Sequence, residues 1–268
     1  MGKCREDYER TVARRIRDGR GLGEFKNYQP WIEIRDFSSR GRSHILLSVT
    51  TGREMHLLSD LEERVALRAD YSPDVLDIRE QFPLFPRAET QEIAEKMECG
   101  HPSHAGSNDV LTEDFVLTMV GTRNPYHAIQ VKQSAALEDE RVREKLEIQR
   151  RYFARRGIPW ALVTERELSR VVDRNLKWLR LGACENFDSD VEKTFTSSFN
   201  QPKRGETLRE AIIRCGDKVG FSSEQASVLF KRLVWKHTLS INLKVPIDLS
   251  LPVSQVMLQF EERAKENA

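Results

Sequence analysis

The chain has 268 residues, 39% of them hydrophobic and 32% charged, with Lys+Arg 43 against Asp+Glu 42. That length suits one large or two modest domains, each able to bury a core, and no apolar run approaches the roughly 20 residues of a membrane span. The first twenty residues lack an apolar stretch, so no secretory signal is expected. Glu6 and Asp7 stand where a myristoylation motif needs Ser or Thr, and the scattered Cys4, Cys99, Cys184 and Cys215 read as free thiols of a reducing cytosol.

In chain order, Ser59 and Glu62 form an S-x-x-E capping box, and Leu58, Leu61, Val65 and Ala69 recur at helical spacing, predicting a helix from about residue 57. Glu62 thus has a structural task, whereas Glu63 faces elsewhere with none. VLDIREQFPLFP (75–86) alternates as a strand and ends at prolines, and 87–109 is polar and irregular. TEDFVLTMV (112–120), a GTRNP turn and YHAIQVK (126–132) predict a β-hairpin. A helix follows over 134–156, stopped by Gly157 and Pro159, and WALVT (160–164) is a short buried strand. Strand, helix, strand in that order implies a crossover and a mixed α/β domain.

The texture changes near residue 168. ERELSRVVDRNLKWLRLGA is helical, TLREAIIRC (207–215) and SSEQASVLFKRLVWKH (222–237) give helix, turn and helix, and INLKV and PIDL supply two short strands around Pro246. That order suggests a small winged helix-turn-helix domain with Lys231, Arg232 and Lys236 on its second helix. Residues 201–244 carry nine basic residues against four acids, and residues 1–20 carry seven against four. Such patches favour phosphate contact, so Arg14, Arg15 and Arg17 are further candidates for DNA binding.

Within the hairpin, alternation puts Asp114, Val116 and Thr118 on one face with Gln130 and Lys132 on the partner's. Phe115, Leu117, Ile129 and Val131 take the other, apolar face. Asp114 then lies across from Gln130 or Lys132, which gathers an acid, an amide and a lysine at one sheet end. A water-facing hairpin with a surface Asp–Lys pair is the plain alternative. Other features read as structural. Cys99-x-His101-x-x-His104 lacks a fourth ligand for zinc, Glu144 and Glu147 sit on a solvated helix face, and Trp178, Phe230 and Trp235 belong to a core.

Thr112-Glu113-Asp114 followed by Gln130-Val131-Lys132 is similar to the PD-(D/E)xK signature of restriction-endonuclease-like folds. More closely, the chain resembles TnsA, the endonuclease subunit of heteromeric, TnsABC-type transposases. The likeness is carried by RRIRDGRGLGEFKNYQPW, TGREMHLLSDLEERV, VLDIREQFPL, TEDF, AIQVKQSAALEDERVREKLE and RRYFARRGIPWALVTE. Together these span most of residues 12–165, and over 170–268 the likeness is one of architecture alone. The resemblance implies a catalytic set of Glu63, Asp114 and Lys132, with metal held by Glu63, Asp114, the Gln130 side chain and the Val131 carbonyl.

The implied cofactor is one or two Mg²⁺ ions, with Mn²⁺ as a substitute, bound by hard oxygen ligands. Lys132 would stabilise charge on the reacting phosphate and orient the attacking water. A neutral Gln130 leaves one negative charge fewer than a D/E-x-K site and implies looser metal binding. The implied organisation is an endonuclease domain over 1–168, a mixed sheet flanked by helices, and a winged-helix-like domain over 169–268 that binds DNA or a partner. The implied activity is cleavage of the non-transferred strand at transposon 5′ ends. Its implied partners are double-stranded DNA, a TnsB-like transposase subunit and a TnsC-like AAA+ ATPase, with no membrane, in the bacterial cytoplasm at the nucleoid. A stand-alone restriction or repair nuclease and a non-catalytic DNA-binding adaptor are the alternatives.

Overall fold

A computed structural model describes residues 5–36, 42–104, 106–121 and 124–257; Cys4 and the Arg123 corner of the hairpin turn lie outside them. The chain divides into two units, 1–168 and 169–268. In the first, helix α1 (Arg5–Arg17) precedes a hairpin of β1 (His44–Leu47) and β2 (Glu54–Leu57), helix α2 (Asp60–Tyr71), strand β3 (Val75–Pro83) and helix α3 (Arg87–Lys96). A minimal pair, β4 (Ser103–His104) and β5 (Ser107–Asn108), leads to β6 (Thr112–Met119), β7 (Tyr126–Val131), helix α4 (Glu140–Ala154) and β8 (Trp160–Val163).

The central sheet has the order β3-β6-β7-β8. The first three strands are antiparallel, while β8 joins β7 in parallel after the α4 crossover. One face packs on α2 and β2 through Met55, Leu57, Leu61, Val65, Phe115, Leu117 and Val131. The other packs on α3 and α4 through Ile93, Ala94, Val116, Ala128, Ile148, Tyr152 and Phe153. Both faces are therefore apolar and covered, and the plain alternative of a water-facing hairpin does not hold: Val116 and Ala128 are core. Helix α3 was expected as irregular chain; it forms because Thr90, Ile93 and Ala94 recur on one side and are buried.

Two strands bend at the same level. Along β6, Phe115 and Leu117 face α2, yet Glu113 reaches Gln149 of α4. Along β3, Glu80 pairs with Arg53 on the β2 side while Phe82 packs among the α4-side residues. Residues two apart point to opposite faces in both strands, so the alternation breaks at Gln81 and Asp114. Gln81 has φ 49°, left-handed for a non-glycine residue, a conformation that costs about 1 kcal/mol or more and collects at functional sites.

The second unit contains α5 (Arg170–Ala183), α6 (Ser189–Phe199), α7 (Leu208–Lys218), α8 (Ser223–Trp235) and a single turn, α9 (Val253–Val256). Thr207 and Ser222 cap α7 and α8 with complete capping boxes, and Ser222–Gln225 was expected from sequence. The two strands expected around Pro246 do not form; only the isolated bridges Thr207–Pro252 and Ile241–Met257 occur among the described residues. The Asn175 amide of α5 donates to the carbonyls of Leu243 (2.9 Å) and Val245 (2.7 Å) and accepts from the Ile247 N–H (3.1 Å). A buried side chain thus satisfies the backbone that a wing ladder would need.

Candidate active site

The site grows from the break in β6. The β6–β7 ladder runs from Thr118↔Tyr126 to Phe115↔Ile129 and stops, which brings Asp114 level with Gln130. The Val131 N–H donates instead to the Asp114 carboxylate at 2.7 Å, and the Gln130 amide donates to the same oxygen at 2.6 Å. Lys132 Nζ stands 3.9 Å from that oxygen, with its side chain 31% exposed. The expected trio of acid, amide and lysine is therefore assembled, with the acid 7% exposed.

The helix acid that meets this trio is Glu62. Ser59 caps α2 by accepting from the Glu62 N–H, and the Glu62 carboxylate accepts from the Leu58 N–H at 2.9 Å. Gln81, the left-handed residue of β3, donates its amide to the same carboxylate at 3.2 Å. Burial first, and the charge of Asp114 second, push the Glu62 carboxyl up to about 7. Burial also raises Asp114, against Lys132, the Val131 N–H, Lys145 and Gln130, which all pull it down. Two desolvated carboxylates, both raised by burial and one of them also by the other's charge, form a donor set suited to a hard cation.

Glu63 goes elsewhere. One residue turns a helix by roughly 100°, which carries Glu63 to His44 of β1, its carboxylate 3.8 Å from Nδ1; His44 Nε2 also lies 2.7 Å from Asp60. The ligand atoms of His44, Asp60 and Glu63 all lie within 4.8 Å of one another, a grouping with metal-binding capacity on a different face of α2. The charges of Asp114 and Lys132 both act on the buried Glu62.

The Gln130 oxygen, expected to face a metal, accepts from the Gln149 amide of α4 at 2.7 Å. Gln149 is fully buried and also donates to the Thr112 carbonyl at 2.9 Å. Beside it, Glu113 is fully buried and held well above the carboxylate range, by burial and then by the Asp114 charge. No sequence motif assigns a role to Gln81, Glu113 or Gln149. Polar residues inside an otherwise apolar strand or helix face were their signal, since burial of such groups requires a partner or a task.

The remaining candidates fall out as follows. Arg14 and Arg17 are exposed on α1, with Arg17 3.8 Å from Asp18. Arg15 is 3.2 Å from Asp36 and lies over the Trp31 ring. Lys231 is buried with its ammonium 4.5 Å from the Trp178 ring centroid, Arg232 donates to the Ala183 carbonyl, and Lys236 pairs with Glu192 at 2.7 Å. The expected recognition-helix cations are thus engaged inside their own unit. Phe230 and Trp235 are core as expected. His101 bonds Thr90 and Pro102, and Glu147 pairs with Arg150 and Arg151, consistent with their structural reading.

A mixed sheet of order β3-β6-β7-β8 flanked by helices is the restriction-endonuclease-like fold. Residues 72–165 match the model of the TnsA-like endonuclease N-terminal domain. Over 192 residues the chain is 45% identical to the Transposon Tn7 transposition protein TnsA of Escherichia coli, covering 71% of this chain and 70% of that protein. The chain belongs to the TnsA family of transposition endonucleases. No helix among the described residues is long and apolar enough to cross a membrane.

Proposed function

We propose that the protein hydrolyses the non-transferred strand at transposon 5′ ends in a Mg²⁺-dependent reaction, within a complex that also holds a TnsB-like transposase and a TnsC-like AAA+ ATPase. The observation that carries this reading is the Asp114 carboxylate, buried beside Glu62, anchored by Gln130 and the Val131 N–H, and 3.9 Å from Lys132. Asp114, Glu62 and the Val131 carbonyl would hold the metal, and Glu62 takes the place expected for Glu63. Mg²⁺, with Mn²⁺ as a substitute, would supply Lewis-acid neutralisation of the phosphate's charge.

The chain's own residues do the rest. Gln149 holds the Gln130 amide, and Gln130 with the Val131 N–H fixes the Asp114 carboxylate in one orientation. Lys132 keeps its ammonium at the solvent edge of the site, where it can meet a phosphate oxygen and orient water. The exposed Arg14 and Arg17 suit the DNA backbone, and the second unit, whose Lys231, Arg232 and Lys236 are internally engaged, suits a protein partner. We place the activity in the bacterial cytoplasm, at the nucleoid.

The test is a strand-specific nicking assay on end-containing duplex with Mg²⁺, with and without the two partner subunits. Asp114→Ala should lower nicking by more than about a hundredfold in a chain that still folds. A folded Asp114→Ala protein that nicks at the wild-type rate refutes the reading. Efficient cutting by the wild type without partners favours a stand-alone nuclease.

A further inference from the structure

Helix α4 brings a second lysine to the same corner. Lys145 lies one turn before Gln149, and residues four apart share a helix face. Gln149 bonds Gln130 and the Thr112 carbonyl, so that face looks onto the end of the sheet where β6 and β7 part. The charges acting on Lys145 are those of Lys132, Asp114, Asp109 and Glu113. Lys145 is half-buried, and among the described residues it makes no hydrogen bond and no ion pair.

Other cations around this sheet are treated differently. Arg53 is paired with Glu80 at 2.5 Å, and Arg79 stands 3.3 Å from the Thr118 hydroxyl and 3.7 Å from Asp77. A desolvated ammonium without a counter-charge is costly, and a lysine at a helix surface can usually swing its head into water. The nearby acids do not account for it. Asp114 already has Lys132, Gln130 and the Val131 N–H, Asp109 accepts from the Tyr8 hydroxyl, and Glu113 is fully buried, accepts from the Gln149 amide and is pushed towards its neutral form by burial and the Asp114 charge. The acids around Lys145 are therefore already served, and an anionic ligand is the missing element.

We propose that Lys145 is a second phosphate contact of the active site, its ammonium held from α4 to bind a non-bridging oxygen of the scissile phosphodiester opposite Lys132. This rests on the nuclease reading above. A point charge on a flexible stem, held without a protein partner, is the arrangement in which binding of phosphate costs no broken ion pair. No proton or bond transfer is assigned to Lys145. It contributes charge and position only.

The experiment uses the full chain with its transposase partner and end-containing duplex, comparing wild type, Lys145→Met, Lys145→Arg and Asp114→Ala. Three quantities are read: single-turnover nicking with Mg²⁺, DNA affinity against salt with Ca²⁺ in place of Mg²⁺, and thermal melting. Lys145→Met should slow nicking by roughly tenfold to a hundredfold and lower the salt slope of binding by about one. Its melting temperature should hold or rise, because a methionine fills the same space without a stranded charge. Lys145→Arg should recover part of the rate and the slope. Wild-type nicking and slope in Lys145→Met overturn the proposal, as does a rate loss that follows a lowered melting temperature and is not restored by arginine. If the wild type and Asp114→Ala are indistinguishable, the nuclease reading fails; an unchanged salt slope in Lys145→Met then overturns the Lys145 contact separately.

Discussion

The two units dispose of their charge in opposite ways. At the end of the first unit's sheet, the charges of Glu62, Asp114, Lys132 and Lys145 act on one another, and burial makes both acids hold their protons more tightly than usual. In the second unit, Lys231 lies over Trp178, Arg232 serves a helix-end carbonyl, Lys236 pairs with Glu192, and Arg214 bonds Glu206 at 2.6 Å and Ser198 at 2.9 Å. The first arrangement costs stability and is what a reacting phosphate and its metal would repay. The second is self-sufficient. A surplus of basic residues in a stretch of sequence therefore says little about ligand binding until the partners are known, whereas buried charges gathered at one spot say a good deal.

That contrast can be broken at several points. The largest effect is expected from exchanging the neighbouring helix acids. Glu62→Gln should lower Mg²⁺-dependent nicking by roughly a thousandfold, about 4 kcal/mol, while Glu63→Gln should stay within severalfold of wild type. The same strand-specific assay ranks them, and the reverse order would return the catalytic role to the His44 side of α2.

Next comes a pH effect on the metal-free protein. The Glu62 carboxyl rises from 4.5 to about 7 on folding, so the folded chain binds that proton more tightly than the unfolded chain. This contribution is full below pH 4.5 and is lost as pH rises through 7, at roughly 1.4 kcal/mol per pH unit and on the order of 3 kcal/mol in all. Glu62→Gln should flatten the melting-temperature profile between pH 4.5 and 8 and be the more stable protein at pH 8. Parallel profiles for the two proteins would contradict the burial of this acid beside Asp114.

The smallest effect separates the two sets of basic residues. Replacing Arg14 and Arg17 together by alanine should reduce the salt slope of DNA binding by about two with little change in melting. Arg232→Met should instead lower stability by about 1–2 kcal/mol through the orphaned Ala183 carbonyl, and Lys236→Ala should leave the slope unchanged. A slope that falls for Lys236→Ala would restore α8 as a DNA-reading helix.

Much of the site is legible in local pattern. The hairpin of β6 and β7, the start of α2, the long α4 and the short β8 follow from alternation, helical spacing and stop residues, because each depends on neighbours within a few positions. The wing strands were misjudged because Asn175, some seventy residues earlier, satisfies the backbone of 243–247. In sequence, the capping box alone accounts for Glu62. One carboxylate does both, accepting from Leu58 while it faces Asp114.

Chain order, periodicity and the D…QxK spacing were enough to place an acid and a lysine on adjacent strands, since strand geometry carries that information from residue to residue. Which helix carboxylate meets them, which way the Gln130 amide turns, and that Lys145 stands without a partner depended on packing α2 and α4 against the two sides of the sheet. Burial and electrostatic coupling arise between segments distant in the chain, and no local spacing encodes them.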